Sequence, residues 1–135
     1  MEGNLPPENW ARRLAAGATS GLDLPLIAEA SGKPAGLTWA RIDASDASLV
    51  NLYQMWVAPE FRGKGLGRML LRAAVGWARG RKASCVDLKV TCSNIPAVRL
   101  YTSEGFKPSG QTEPLRPGSP LLAQPMRLLL NEGAV

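Results

Sequence analysis

The sequence predicts an α/β fold, a mixed sheet of about six strands flanked by helices. Three observations carry that expectation. Apolar runs of strand length alternate with amphipathic helical stretches. Leu66, Met69, Leu70, Ala73, Ala74, Trp77 and Ala78 recur at helical spacing. The basic, glycine-rich turn Arg62-Gly63-Lys64-Gly65-Leu66-Gly67 joins the apolar run Leu49–Val57 to that helix.

In chain order, Pro7–Ala16 reads as a short helix, with proline near its start, Trp10 and Leu14 four apart, and Gly17 to stop it. Leu24–Ala30 and Ala35–Ile42 read as strands of a hairpin around Ser31-Gly32-Lys33-Pro34. After the polar loop 43–48, Leu49–Val57 has few polar interruptions and reads as a central strand covered on both faces. Arg79 and Arg81 suit the negative end of the following helix. Ser84–Val90 is the next strand. Asn94 then caps a helix with Pro96 just inside, running to Glu104 and stopped by Gly105. Phe106–Thr112 and Leu121–Leu130 are the last strands, joined by the Pro- and Gly-rich loop Glu113–Pro120.

With 135 residues, 45% hydrophobic and 20% charged, the chain is expected to form one domain spanning 1–135. No apolar run approaches membrane-spanning length, and the N-terminus lacks a signal-peptide pattern, so a cytoplasmic protein with no membrane partner is expected. There is no histidine, which excludes His-based triads and most zinc sites; no metal is expected. Cys85 and Cys92 form neither a disulfide framework nor a metal spacing. The net charge of +5 suits an anionic partner or simply a soluble surface.

A strand running into a glycine turn and a helix N-terminus makes an anion cradle. Glycine lets backbone approach a ligand, and the first helical N–H groups are unpaired. Arg62, Lys64 and Arg68 add charge. The P-loop pattern is absent, and the dinucleotide fingerprint fails because its third glycine comes one residue early, at Gly67. On this evidence the loop is either a diphosphate site or a tight turn. Tyr101, on the same helical face as Ala97 and Leu100, is either a core aromatic or a proton donor. Trp39 and Trp56 either pack in the core or line an acceptor cleft.

Together, Arg62-Gly63-Lys64-Gly65-Leu66-Gly67 and Asn94…Ala97…Leu100-Tyr101…Gly105-Phe106, in this order with a strand between, resemble the GNAT superfamily of N-acetyltransferases. The resemblance covers about residues 24–130 and is most specific within Met55–Phe106. It implies a three-layer fold around a mostly antiparallel mixed sheet, with acetyl-CoA as cosubstrate. Loop amides from Arg62, Gly63, Lys64, Gly65, Leu66, Gly67 and Arg68 would hold the pyrophosphate. Met55, Trp56 and Val57 would pair with the pantetheine arm, and the Val57 amide would polarise the thioester carbonyl. Asn94 would contact the cofactor, and Tyr101 would protonate the departing thiolate. The implied reaction is direct attack of a primary amine, on a small molecule or a protein N-terminus, in a ternary complex. The alternatives are an acyl-CoA binder without turnover and a basic nucleic-acid-binding module; no readout motif supports the latter, so no nucleic acid is expected. The family's opening strand has no counterpart in this reading, which would leave a sheet edge for a homodimer partner to cover. Glu29, Asp46, Glu60 and Asp87 are the carboxylates considered as general base, with Asn51 and Tyr53 on the central strand, and none is assigned.

Overall fold

A computed structural model describes residues 23–30 and 32–130, together with the backbone of 11–14. The strands are β1 (Ala11–Leu14), β2 (Asp23–Ala30), β3 (Lys33–Ile42), β4 (Leu49–Val57), β5 (Cys85–Thr91), β6 (Lys107–Pro108), β7 (Glu113–Pro114) and β8 (Leu122–Leu129). The helices are α1 (Leu66–Gly80) and α2 (Ile95–Ser103). The sheet runs β1-β2-β3-β4-β5-β8-β6, with β7 also on β8. Among the described residues β4 and β5 form its one parallel pair, joined through α1. Six of the strands are four residues or longer, the expected number with a different membership: β1 is added, and the strand expected over Phe106–Thr112 is corrected to the two-residue β6 at Lys107–Pro108.

The helix expected over Pro7–Ala16 is corrected where it is described: Ala11–Leu14 is a strand, antiparallel to β2, with Ala11 opposite Glu29 and Leu14 opposite Leu26. The rest of that stretch lies outside the described residues. One i,i+4 pair is weak support for a short helix, and pairing with the open edge of β2 outweighs it. The sheet therefore does begin with a strand before the hairpin. With β1 on that edge, the missing strand that a homodimer partner could have supplied is present in the chain itself.

Residues directly opposite one another in paired strands share a face. Gly36, Thr38 and Ala40 of β3 share one with Leu24, Leu26 and Ala28 of β2 and with Val50 and Leu52 of β4. Val86, Leu88 and Val90 continue it on β5. Leu66, Leu70, Leu71, Ala74 and Ala78 of α1 pack there, as do Tyr101 of α2 and Phe106. Gly36 is the point of closest approach. A Cβ there would lie 2.9 Å from the Trp56 carbonyl oxygen, 3.0 Å from Leu70 Cδ1 and 3.2 Å from Leu66 Cδ2. Gly36→Val is expected to cost about 1–3 kcal/mol by overpacking, read as a lowered melting temperature.

Of the three layers implied, the described residues supply the sheet and one helical layer. Ile27, Leu37, Trp39, Tyr53 and Trp56 lie on the other face, where no described helix covers them. The expectation that β4 is covered on both faces is therefore corrected: Leu49 and Asn51 are only half-buried, and Tyr53 is 45% and Trp56 41% exposed.

Candidate active site

β4 and β5 pair only over Leu49–Asn51 and Cys85–Asp87, then separate. The separation begins where β4 carries an extra residue. Tyr53 pairs with Trp39 and Met55 with Thr38, which leaves Gln54 unopposed. Gln54 has φ of +58°, a left-handed conformation costing about 1–2 kcal/mol in a non-glycine residue. Such a bulge bends a strand and increases its twist, so the end of β4 swings away from β5. Beyond it, the Ala58 N–H donates to the Ala35 carbonyl on the β3 side at 2.8 Å. In an antiparallel strand, successive residues turn their N–H and C=O to opposite sides. The backbone groups of Met55 and Val57 therefore point into the gap. Those of Trp56 point to β3, where its carbonyl oxygen crowds Gly36. Of the three residues expected to present backbone to a ligand, Trp56 does not.

The loop follows directly. A 3-10 turn over Pro59–Phe61 leads into Gly63 (φ +78°) and Gly65 (φ +84°), the residue that precedes α1. A Cβ at either glycine would meet nothing within 4 Å, so conformation is what requires glycine there. No side chain caps α1, and the Met69 N–H bonds back to the Gly65 carbonyl at 3.1 Å. The amides of Leu66, Gly67 and Arg68 before it have no helical partner, and the first turn holds no acidic residue. The loop is therefore fitted to an anion. Arg62 donates through Nε to the Val57 carbonyl at 2.9 Å, which joins the loop to the end of β4 and leaves its terminal nitrogens exposed. Lys64 is exposed beside it. The Leu66 side chain is buried at 1% exposure, so it contributes only its amide.

Arg68 is differently used. Its guanidinium pairs with Glu104 and hydrogen-bonds Ser103 Oγ at 3.1 Å, while Arg72 donates Nε and Nη2 to the same carboxylate at 2.9 and 3.0 Å. Its side chain links α1 to α2 and only its amide faces the anion site. Gly67 sits in the same contact, where a Cβ would be 3.4 Å from Leu100 Cδ2.

Asn94 caps α2, its Oδ1 accepting the Ala97 N–H at 3.3 Å. Tyr101 is 6% exposed and packs edge-on against Phe106 with centroids 5.9 Å apart. Burial pushes its phenol above the ordinary range, so it stays protonated. The hydroxyl has no hydrogen-bond partner among the described residues, and it is not sealed in the interior as Thr38 Oγ1 is. It borders a cavity of about 210 Å³ with Thr38, Met55, Thr91 and Asn94.

A second cavity, of about 550 Å³, opens on the opposite face of the sheet. It is walled by Trp39, Asn51, Tyr53, Asp87, Ser109 and Pro125. Leu52, Tyr53, Gln54, Leu88 and Lys89 border both, so the gap between β4 and β5 is a passage through the sheet. Trp39 lines the second cavity, edge-on to Tyr53 at 6.0 Å. Trp56 does not line it. Of the carboxylates considered as base, Asp87 reaches this cavity, but Arg127 holds both its oxygens, at 2.6 and 2.9 Å. Asp46 is bound to Ser48, and Glu60 lies exposed in the 3-10 turn. Gln54, Gly36 and Glu104 are site residues that local sequence pattern did not mark.

These features agree with a comparison against known proteins, in which the model of the acetyltransferase (GNAT) family matches residues 4–106. The chain belongs to the GNAT family. A mycothiol acetyltransferase of Tsukamurella paurometabola is 37% identical over 93 residues, which are 69% of this chain and 30% of that protein. The chain thus spans less than a third of that relative. Nourseothricin acetyltransferase shares the fold, with a TM-score of 0.73 over 90% of this chain and 84% of the other at 24% identity. A Salmonella typhimurium protein solved with its cofactor acetyl-CoA gives a TM-score of 0.70 at 27% identity, covering 84% of this chain and 68% of that one.

In this GNAT chain the two defining segments are held together by Glu104. Arg72 and then Arg68 draw its carboxyl below the usual range. A depressed folded value gives stability that is present above the unfolded value, near 4.3, and lost as pH falls through the folded one. Glu104→Gln is expected to lower the melting temperature at pH 7 by a few degrees, about 1 kcal/mol because Arg72 is exposed. It should also flatten the loss of stability below pH 4, measured by melts across pH.

Proposed function

We propose that this chain transfers the acetyl group of acetyl-CoA to a primary amine, by direct attack within a ternary complex. The observation that carries the reading is the alignment at the gap. Met55 and Tyr101, whose hydroxyl has no partner among the described residues, border the gap where the two cavities meet. The uncapped start of α1 lies beside its end, where a Cβ at Gly67 would be 3.7 Å from Val57 Cγ2 and 3.4 Å from Leu100 Cδ2. The amides of Leu66, Gly67 and Arg68, with Arg62 and Lys64, would take the diphosphate. Asn94 stands at the mouth, and Met55 would pair with the amide-bearing arm.

Bound acetyl-CoA supplies an acyl carbon attached to a thiolate leaving group. The Val57 N–H would hydrogen-bond the carbonyl oxygen as charge gathers there. The acceptor nitrogen, entering neutral from the larger cavity, forms the new C–N bond as the C–S bond breaks. Tyr101 would give its proton to the sulfur, the surplus proton on nitrogen leaves to solvent, and a proton from solvent restores the phenol. Positioning of the two reactants supplies most of the remaining acceleration.

The test is thiol release from acetyl-CoA against a panel of small amines and peptide N-termini. Transfer to at least one amine supports the reading. Binding of acetyl-CoA without turnover on any acceptor would favour a non-catalytic binder instead.

A further inference from the structure

The larger cavity does not end at the gap. It shares Trp39, Asn51 and Tyr53 with a neighbouring cavity of about 390 Å³ that continues to Asp43. The charged groups along this trough are mostly paired: Asp87 with Arg127, Lys89 with Glu113, and Arg41 with Asp23 at 3.3 Å. Asp43 is different. It accepts the Ser45 N–H at 3.0 Å, the Ser45 hydroxyl at 2.8 Å and Asn51 Nδ2 at 2.9 Å. All three donors are neutral, and no cation pairs with it among the described residues. Those bonds hold its carboxyl below the usual range, so it is ionised throughout the neutral region.

A carboxylate without a counter-charge, at the end of an aromatic-walled trough, is matched to a cation, which gains from both the charge and the ring faces. In a chain of net charge +5, such a local charge is also what lets a polycation approach. The geometry points to a di- or polyamine acceptor: one terminal amine reacts at the gap while a distal ammonium sits at Asp43 against Trp39 and Tyr53. The spacing follows from the strand. Asn51, which holds Asp43, pairs with Arg41 and Met55 with Thr38, three steps along the sheet because Gln54 is the bulge residue, roughly 10 Å of strand. The acceptor is therefore elongated, with its reacting amine and its distal ammonium about that far apart. This rests on the acetyl-transfer reading and specifies its acceptor.

The test compares 1,8-diaminooctane, ethylenediamine and n-octylamine as acceptors in a thiol-release assay, with acetyl-CoA binding measured separately. The long diamine should exceed octylamine in kcat/KM by about tenfold, the scale of one exposed ion pair reinforced by an aromatic face. The short diamine should lack that advantage. Asp43→Asn should collapse the diamine-to-monoamine ratio toward one, chiefly through KM. The wild-type length dependence needs no variant, so it stands even if Asp43→Asn folds poorly. Equal use of the three amines, better use of a peptide N-terminus, or an unchanged ratio in a folded Asp43→Asn protein would overturn the assignment. If acetyl-CoA still binds and some amine is acetylated, only the acceptor class falls. If acetyl-CoA fails to bind, both fall.

Discussion

Replacing Gly65 with aspartate is expected to remove acetyl-CoA binding while leaving the fold in place. At φ +84° a side chain there costs about 1–2 kcal/mol, and aspartate is among the residues that best tolerate that region. A Cβ would meet no neighbour. An aspartate preceding a helix also satisfies free amides and suits the helix dipole, which offsets part of the strain. The same carboxylate competes with an incoming diphosphate for the amides of Gly67 and Arg68. Two unit charges about 4 Å apart repel by about 4 kcal/mol at surface-like screening. Half of that weakens binding about 30-fold, so titration calorimetry should show affinity falling at least that far with melting altered by only a few degrees. Gly65→Asp unfolding outright would mean the loop glycine serves the fold first.

Tyr101→Phe is expected to lower kcat roughly 100-fold or more, the contribution of a well-placed general acid, with little change in KM for acetyl-CoA. The ring keeps its packing on Phe106, and the hydroxyl has no partner to lose among the described residues, so stability should be nearly unchanged. The pH profile sharpens the test. Turnover should rise with pH as the acceptor amine loses its proton. Because burial holds the phenol above its ordinary value, Tyr101 should impose no alkaline fall below about pH 10. Equal turnover in the phenylalanine variant at every pH would remove Tyr101 from the chemistry.

The two segments that mark the site were readable because each is a local code. Gly63 and Gly65 announce positive φ beside a helix start, and Asn94 with Pro96 announces a capped helix. What joins them was not readable. Glu104 meets Arg68 36 residues away, a pairing no local pattern reveals. Gln54 carries none of the usual signs of a left-handed residue, yet it sets where β4 leaves β5. That hidden residue also misled the reading of Trp56. The bulge decides which residues turn their backbone inward, so Met55 and Val57 face the gap and Trp56 does not. At the N-terminus the Trp10 and Leu14 spacing suggested a helix, whereas an available strand edge governs Ala11–Leu14.

The most direct measurement is the melting temperature of the wild-type protein with and without acetyl-CoA. A ligand at about 100 times its dissociation constant adds about 2.7 kcal/mol, a rise of several degrees for a domain of this size. That rise is expected for acetyl-CoA and for coenzyme A, since both carry the diphosphate that the loop is proposed to hold. An unchanged melting temperature with both at millimolar concentration would contradict that proposal.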